Sequence, residues 1–191
     1  MDETVMAAMA KWPGVPDAHG WMRLTARGEW QIDGGRVAND ALREFIGRNY
    51  EHDAAGQWFV QNGPQRVYVE LETTPWIWRL DGDGQWVAHT GVRPKQLVAA
   101  LLLDDERVVL VTDLGAGQVD DRDVANLIEA LTDRAGMPLS ESGLERWLDG
   151  REEAFLAAAV LGLAGGTVCL GRCRSADLPA LAGFVRKPLI R

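Results

Sequence analysis

Hydrophobic and polar residues alternate along "RVYVELE", residues 66–72, which is typical of a β-strand with one buried face. Asn62 and Gly63 come just before this stretch and are a strong signal for a short hairpin. Residues 56–72 are therefore predicted to form consecutive strands. Pro75 marks a corner, and the following "WIWRL" predicts another strand. The apolar positions of the alternating stretch are Val67, Val69 and Leu71.

Helical spacing of apolar residues appears in two other segments. After residue 38, Asn39 or Asp40 can cap a helix whose apolar side carries Leu42, Phe45 and Ile46. Residues 117–136 predict a second helix that Asp120 or Asp121 caps and Gly136 ends. Its predicted buried stripe is formed by Val124, Leu127, Ile128 and Leu131.

The pattern Gly-x-Trp-x-x-x-x-Gly occurs three times, 28 residues apart, at residues 28–35, 56–63 and 84–91. Each copy predicts a turn, a short strand that begins at the Trp, and a second turn. Such regular recurrence indicates an internal duplication with a unit of about 55 residues. When the first and third copies are aligned, "LVAALLL", residues 97–103, corresponds to the predicted first helix. This correspondence favours a helix there.

These elements predict an α+β fold with two related units, each a mainly antiparallel sheet packed on a helix. The units are expected at residues 17–80 and 81–136, with a C-terminal extension at 137–191 packed on the core. The uncharged segment 154–171 is long enough to suggest a membrane span. Its Ala and Gly content and internal Gly-Gly favour a buried helix followed by a strand. The tail after it predicts a loop and a final strand.

Charge narrows the classes of function. The 191 residues carry a formal net charge of −8, which disfavours binding along an extended nucleic acid. The N-terminus has early acids and no long apolar run, so we expect neither a signal peptide nor membrane attachment, and a cytoplasmic location. Cys169 and Cys173 do not make a disulfide framework and are predicted to be buried free thiols, which fits a reducing compartment.

Catalytic motifs are absent from the sequence. It contains no Gly-x-Ser-x-Gly, His-Glu-x-x-His, phosphate loop or dinucleotide fingerprint. His19, His52 and His89 are predicted to face solvent. The acids of residues 120–123 are interpreted as helix first-turn acids, not as a metal site. We therefore expect a non-enzymatic protein with no cofactor, although 28 acidic residues leave paired-carboxylate chemistry open.

Polar residues next to aromatic ones are the candidates for ligand binding. An Arg fork beside flat aromatic rings suits a nucleotide or another planar anion. The alternative is that Arg48 and Arg66 pair with nearby acids such as Glu70, Glu72 or Asp53, while the tryptophans pack the core. Both interpretations stay open at this point. The six candidate residues are Arg48, Asn49, Gln61, Arg66, Trp76 and Trp78.

Three stretches, "WPGVPDAHGWMRLTARGEWQI", "LREFIGRNY" and "QNGPQRVYVELETTPW", resemble an uncharacterised proteobacterial domain-of-unknown-function family. More distantly, the order of motifs is similar to a second such family, including a turn that carries Asp53, Gly56 and an aromatic residue, Trp58. That resemblance implies a duplicated α+β core whose second half has a pleckstrin-homology-like fold. It also implies ligand binding between the halves, linked to signal transduction. The resemblance covers about residues 12–90.

Together, these observations predict a non-enzymatic ligand-binding or signalling accessory protein, with a nucleotide-like small molecule at the cleft between the two units. The alternative is an interaction module, either a homodimer or a partner adaptor, with no small-molecule ligand and with the apolar C-terminal segment as its interface.

Overall fold

The computed structural model describes residues 1–11 and 15–189 of the chain and shows an α+β fold, as predicted. The chain divides into two compact units. Unit 1 comprises Met1–Pro75, His89–Gly91 and Pro179–Arg191, and unit 2 comprises Trp76–Ala88 and Val92–Leu178. The first boundary thus follows Pro75, where residue 80 was predicted, and the predicted extension 137–191 is divided between both units.

Unit 1 is built on a six-stranded sheet. Its elements are α1 (Glu3–Lys11), β1 (Ala18–Leu24), β2 (Trp30–Ile32), β3 (Gly35–Arg36), α2 (Asp40–Arg48), β4 (Tyr50–His52), β5 (Trp58–Asn62) and β6 (Gln65–Leu71). The strand order is β3-β2-β1-β6-β5-β4. The neighbours β1 and β6 are parallel, and the other pairs are antiparallel. The sheet is therefore mixed.

The predicted hairpin around Asn62 and Gly63 is confirmed. Strands β5 and β6 are antiparallel, and Phe59 lies opposite Tyr68. The predicted alternation in β6 holds for its apolar face, since Val67, Val69 and Leu71 are all buried. This face is part of the core. Removing each such side chain from water stabilises the fold by about 1.5–3 kcal/mol.

Helix α2 confirms the predicted cap and apolar side. Asn39 is the N-cap, and its side-chain oxygen accepts a 2.9 Å hydrogen bond from the backbone N–H of Leu42. This bond satisfies one of the amides that a helix start leaves open. Ile46 is buried, whereas Leu42 is exposed, so the helix buries only part of its apolar side.

Unit 2 is built on an eight-stranded mixed sheet. Its elements are β7 (Trp76–Leu80), β8 (Trp86–Ala88), β9 (Leu97–Leu103), β10 (Val108–Thr112), β11 (Gly115–Val119), α3 (Val124–Glu129), β12 (Leu131–Thr132), α4 (Glu141–Leu148), β13 (Phe155–Ala157), a 3-10 helix (Ala158–Leu161) and β14 (Thr167–Cys173). The strand order is β12-β13-β14-β9-β10-β11-β7-β8. A last helix, α5 (Leu178–Ala182), leads the chain back into unit 1.

Residues 97–103 form strand β9, so the helix predicted there is wrong. Strand β9 is antiparallel to β10 and parallel to β14, and it is paired on both edges. A Leu- and Ala-rich run favours a helix locally. Pairing with a strand some 70 residues further along the chain overrides that preference, and it buries Leu97, Ala100 and Leu103.

The uncharged segment 154–171 differs in part from its prediction. It forms β13, the 3-10 helix and the first part of β14, so the predicted buried helix is not formed, whereas a strand does follow, as predicted. Among the described residues, no helix has the length and apolar character needed to cross a membrane. Cys169 on β14 is exposed and Cys173 is half-buried, so the prediction of buried thiols is wrong for Cys169.

Two further helical predictions are corrected. Helix α3 has only six residues and follows Asp123, so neither Asp120 nor Asp121 is its cap. It ends before Gly136 because β12 pairs with β13. The tail predicted as loop and strand contains α5 and then a single parallel bridge between Gln57 and Val185.

The three Gly-x-Trp copies each contain a turn of the same conformation. Their first glycines have nearly the same positive φ, 74° to 75° for Gly28 and Gly56 and 72° for Gly84. Each donates its N–H to the carbonyl three residues earlier at 3.0 Å. The Trp of each copy then begins a strand, β2, β5 or β8. Beyond this the first and third copies diverge, because a helix follows the first and β9 follows the third. The common structure is the turn and strand start, and duplication of a larger unit stays a prediction.

Candidate binding pocket in unit 1

Arg48 and Asn49 tie the N-terminal helix to the end of α2. The Arg48 Nε donates to Asp2 Oδ1 at 3.0 Å, and Arg48 also pairs with Glu44. Asn49 is fully buried; its Oδ1 accepts from the backbone N–H of Asp2 at 2.8 Å. The hydrogen bond from Arg48, opposed by partial burial, lowers the pKa of Asp2. Arg48 is thus paired with acids, though not with those that were predicted.

Gln61, Trp76 and Trp78 are buried and hydrogen-bonded. The Nε2 of Gln61 donates to the carbonyl of Gly63 at 2.9 Å. The Trp76 and Trp78 rings stack with centroids 6.0 Å apart in unit 2, and their indole N–H groups donate to Leu114 and Leu110 carbonyls. A polar group that is already bonded inside a core gains little from a ligand. Of the six candidates, these three hold the fold together.

Arg66 differs from the other candidates because no ion pair to it is found in residues 1–11 and 15–189. Its guanidinium lies over the Phe59 ring, with the central carbon 4.7 Å from the ring centroid. Of the acids predicted as its partners, Glu72 pairs with Arg23 at 3.3 Å, and Asp53 is bonded by other groups. Arg66 lines a pocket.

That pocket has a volume of about 480 Å³ and lies entirely within unit 1. This volume falls in the range of about 300–1,000 Å³ that ligand sites occupy. A second depression shares Asp53 and Arg66 with it and is also lined by His52. The lining residues of the first are Pro16, Asp17, His19, Asp53, Gln57, Arg66, Tyr68 and Leu189. We call it the Arg66 pocket.

The central strands position its walls. Arg66 and Tyr68 are two residues apart on β6 and so project from the same face. Strand β1 runs parallel to β6, with Ala18 opposite Val67, and this brings His19 beside Tyr68. Just before β1, the Gln65 Nε2 donates to the Pro16 carbonyl at 3.0 Å. The segment leading into β1 is thus attached to β6.

His19 and Tyr68 form a stacked pair, with ring centroids 4.5 Å apart and an interplanar angle of 11°. His19 is half-buried, so the prediction of a solvent-facing ring is wrong for it. His89 was predicted to face solvent as well, but its ring lies 5.1 Å from that of Trp30 in the unit 1 core. Both rings line the Arg66 pocket and give it an aromatic wall.

Asp53 closes the second Gly-x-Trp turn beneath the pocket. Its Oδ1 accepts from the N–H groups of Ala55 and Gln57 at 2.9 and 3.0 Å. Its Oδ2 accepts from Gln57 Nε2 at 3.1 Å and from the Tyr68 hydroxyl at 3.3 Å. Burial favours the neutral acid, but these hydrogen bonds outweigh it and lower the pKa of Asp53. The carboxylate stays charged and is committed to the turn.

The C-terminal segment forms the remaining wall. Val185 donates its N–H to the Gly56 carbonyl at 2.9 Å, and Leu71 donates to the Arg186 carbonyl at 2.8 Å. Leu189 then donates to Gln57 Oε1 at 2.6 Å. Both ends of the Gln57 amide are therefore used, one by Asp53 and one by Leu189, and the wall is fixed by backbone bonds.

Sequence reasoning selected Arg66 but missed Asp17, His19, Gln57, Tyr68 and Leu189. The alternation of β6 did place Tyr68 opposite the core face. The contribution of residues 16–19 depends on a parallel pairing of distant strands, and that of Leu189 on a hydrogen bond across 132 residues. Neither contact can be predicted from the pattern of neighbouring residues in the sequence.

Unit 2 contains another pocket, of about 440 Å³, beside α4. Its arginines are already paired, Arg134 with Glu153 and Arg146 with Glu152, both at 2.8 Å. Ser140 is the N-cap of α4 and accepts from the N–H of Gly143. This pocket thus offers a ligand fewer uncommitted charges than the Arg66 pocket. In the described part of the chain, no group of three or more His, Cys, Asp or Glu residues could hold a metal ion.

Comparisons with solved structures find similar chains. It is similar to the crystal structure of a DUF1285 family protein from Silicibacter pomeroyi DSS-3, with 14% sequence identity, a TM-score of 0.49, and coverage of 76% of this chain and 100% of that chain. A DUF1285 family protein from Shewanella baltica OS155 is also similar, with 17% identity, a TM-score of 0.40, and coverage of 56% and 89%. No curated protein matches the chain.

The family comparison confirms the resemblance to an uncharacterised domain-of-unknown-function family. The matching model is DUF2944, and the match extends over residues 1–189. The chain therefore belongs to the family described as "Protein of unknown function (DUF2946)".

Proposed function

We propose that the protein is a non-enzymatic ligand-binding protein and that the Arg66 pocket holds a small anion with a planar ring, a class that includes nucleotides. The observation that carries the proposal is the Arg66 guanidinium, which lines the pocket without a carboxylate partner among the described residues. A guanidinium presents a planar fork of donors that matches a carboxylate or phosphate. The Phe59 ring beneath the guanidinium favours this placement by cation–π attraction.

The aromatic wall supports the planar part of the ligand. His19 and Tyr68 are stacked, and the Tyr68 hydroxyl is anchored to Asp53. An aromatic face held in this way loses little side-chain freedom when a second ring packs against it. A cytoplasmic role in signalling, as the distant resemblance implies, is compatible with such a site and forms part of the proposal.

The test is binding by full-length protein to a panel of nucleoside monophosphates and simple aromatic carboxylates at millimolar concentration. Thermal denaturation and calorimetry are the readouts. We expect at least one anion to raise the Tm, because a ligand that binds only the folded state stabilises it. Arg66→Ala should weaken that binding about tenfold or more, since it removes a charged hydrogen-bond donor worth about 1.5–3 kcal/mol.

Arg79→Ala is the matched control. Arg79 is an exposed arginine on β7 in unit 2, so its loss changes the net charge equally without touching the Arg66 pocket. Binding that is unchanged in Arg66→Ala, or a panel without a single Tm shift, would contradict the proposal. Native mass spectrometry of the same samples reports the subunit count, and an obligate homodimer without ligand would favour the interaction module.

A further inference from the structure

The Arg66 pocket contains one acid that the fold does not use. Asp53 accepts four hydrogen bonds and is committed to its turn. Asp17 also lines the pocket, but no hydrogen bond or ion pair to its carboxylate is found among the described residues. The pocket therefore presents one uncommitted cation, Arg66, and one uncommitted anion, Asp17, on its walls.

These two charges do not neutralise each other. No salt bridge between Arg66 and Asp17 is found among the described residues. Asp17 follows Pro16, whose carbonyl is bonded to Gln65 beside Arg66, so the acid is attached to the same strand as the cation. Two opposite charges that line one pocket without pairing complement a ligand that carries both.

We propose that the Arg66 pocket selects zwitterionic small molecules of the aromatic amino acid class. In this arrangement the ligand carboxylate pairs with Arg66, its ammonium group with Asp17, and its ring packs on the His19–Tyr68 wall. The inference rests on the proposed function and deepens it. A purely anionic ligand would gain the same contact with Arg66 but would be repelled by Asp17 and Asp53. The protein's net charge of −8 adds to that penalty.

Three compounds with the same ring separate the contributions. Phenylalanine carries both charges, 3-phenylpropionate lacks the ammonium group, and 2-phenylethylamine lacks the carboxylate. Calorimetry with full-length protein at low salt is expected to give phenylalanine an affinity about two- to fivefold above that of 3-phenylpropionate, which is the worth of one partly exposed ion pair. Its affinity should exceed that of 2-phenylethylamine about tenfold or more, because that analogue lacks the group that pairs with Arg66.

Asp17→Asn identifies the second contact. It should weaken phenylalanine binding about two- to fivefold. It should leave 3-phenylpropionate binding unchanged or slightly stronger, because a repulsive charge is removed. Asp83→Asn is the control: Asp83 is an exposed acid in a turn of unit 2, and its loss should change neither affinity.

The outcomes distinguish this inference from the proposal beneath it. Binding of 3-phenylpropionate or a nucleotide that depends on Arg66 and equals that of phenylalanine overturns the zwitterion inference and leaves the anion site standing. Phenylalanine binding that Asp17→Asn does not weaken also overturns the inference. If none of the three compounds and no nucleotide binds, both statements fail.

Discussion

Gly56 and Gly84 occupy the same position in two copies of one turn, yet only Gly56 is approached by another segment. Their φ values are 75° and 72°. A Cβ at Gly84 would have no atom within 4 Å. A Cβ at Gly56 would lie 3.1 Å from the Gly183 carbonyl carbon and from the Phe184 Cα, and closer still to the Gly183 oxygen. Replacing each glycine with alanine therefore separates backbone strain from a steric clash.

The expected magnitudes follow from that difference. Both substitutions force a residue with a Cβ into the left-handed region, which costs about 1–2 kcal/mol. Gly56→Ala also displaces backbone atoms of the C-terminal segment, and overpacking of this kind typically adds about 1–3 kcal/mol. For a chain of this size, each kcal/mol lowers the Tm by about 2–4 °C. We expect Gly56→Ala to be the more destabilising variant by that second amount.

Calorimetric unfolding of full-length protein measures the Tm, and hydrogen exchange shows where the structure loosens. Because Gly84 lies in unit 2, Gly20→Ala is the control within unit 1: its φ is 83° and its added Cβ would have open space. In Gly56→Ala, the Val185 amide should lose protection because its acceptor is the Gly56 carbonyl. Equal destabilisation by Gly56→Ala and Gly20→Ala, with Val185 still protected, would refute the reasoning.

Three further predictions concern stability. Gly117→Ala should destabilise by about 1–3 kcal/mol in urea unfolding, because its Cβ would lie 2.5 Å from Cε2 of the buried Trp78 ring and closer still to Nε1. Gly82→Ala, whose Cβ would meet no atom within 4 Å, should be near neutral. Asn39→Ala should cost about 1 kcal/mol by removing the α2 cap, and a loss of no more than a few tenths would contradict that role. The Arg122 guanidinium lowers the pKa of buried Asp120 to about 2. The unfolded-state pKa is about 3.9, so this pair makes its full contribution to the free energy of unfolding above about pH 3.9 and loses it as the pH falls through about 2. Because Arg122 is mostly exposed, we expect about 1–2 kcal/mol, and Asp120→Asn should remove this acid dependence from unfolding curves measured between about pH 5 and pH 2.

Local signals in the sequence were sufficient where one element determines its own shape. The cap of α2 and the hairpin at Asn62 and Gly63 are formed by neighbouring residues, and both predictions are confirmed. The Gly-x-Trp turns also formed as predicted, because a positive φ at the glycine is a local requirement.

Distant strand pairing explains what the sequence did not reveal. "LVAALLL" contains only one β-branched residue, and nothing within it indicates that β10 and β14 lie on both sides. The six candidate residues were selected by residue type, which does not distinguish a buried, bonded side chain such as Gln61 from one that lines a pocket. Arg66 and Asp17 lie in the same pocket only because β1 runs parallel to β6.

Unit 1 needs residues from both ends of the sequence, and this has a consequence for its synthesis. The wall formed by Val185, Arg186 and Leu189 closes on the Gly56 turn, with one hydrogen bond spanning 132 residues. A ribosome will therefore have translated all of unit 2 before that wall can close. Until then the Gln57 Oε1, the Gly56 carbonyl and the Leu71 amide have no partner from this segment, so unit 1 is completed only after the chain of unit 2 has been made.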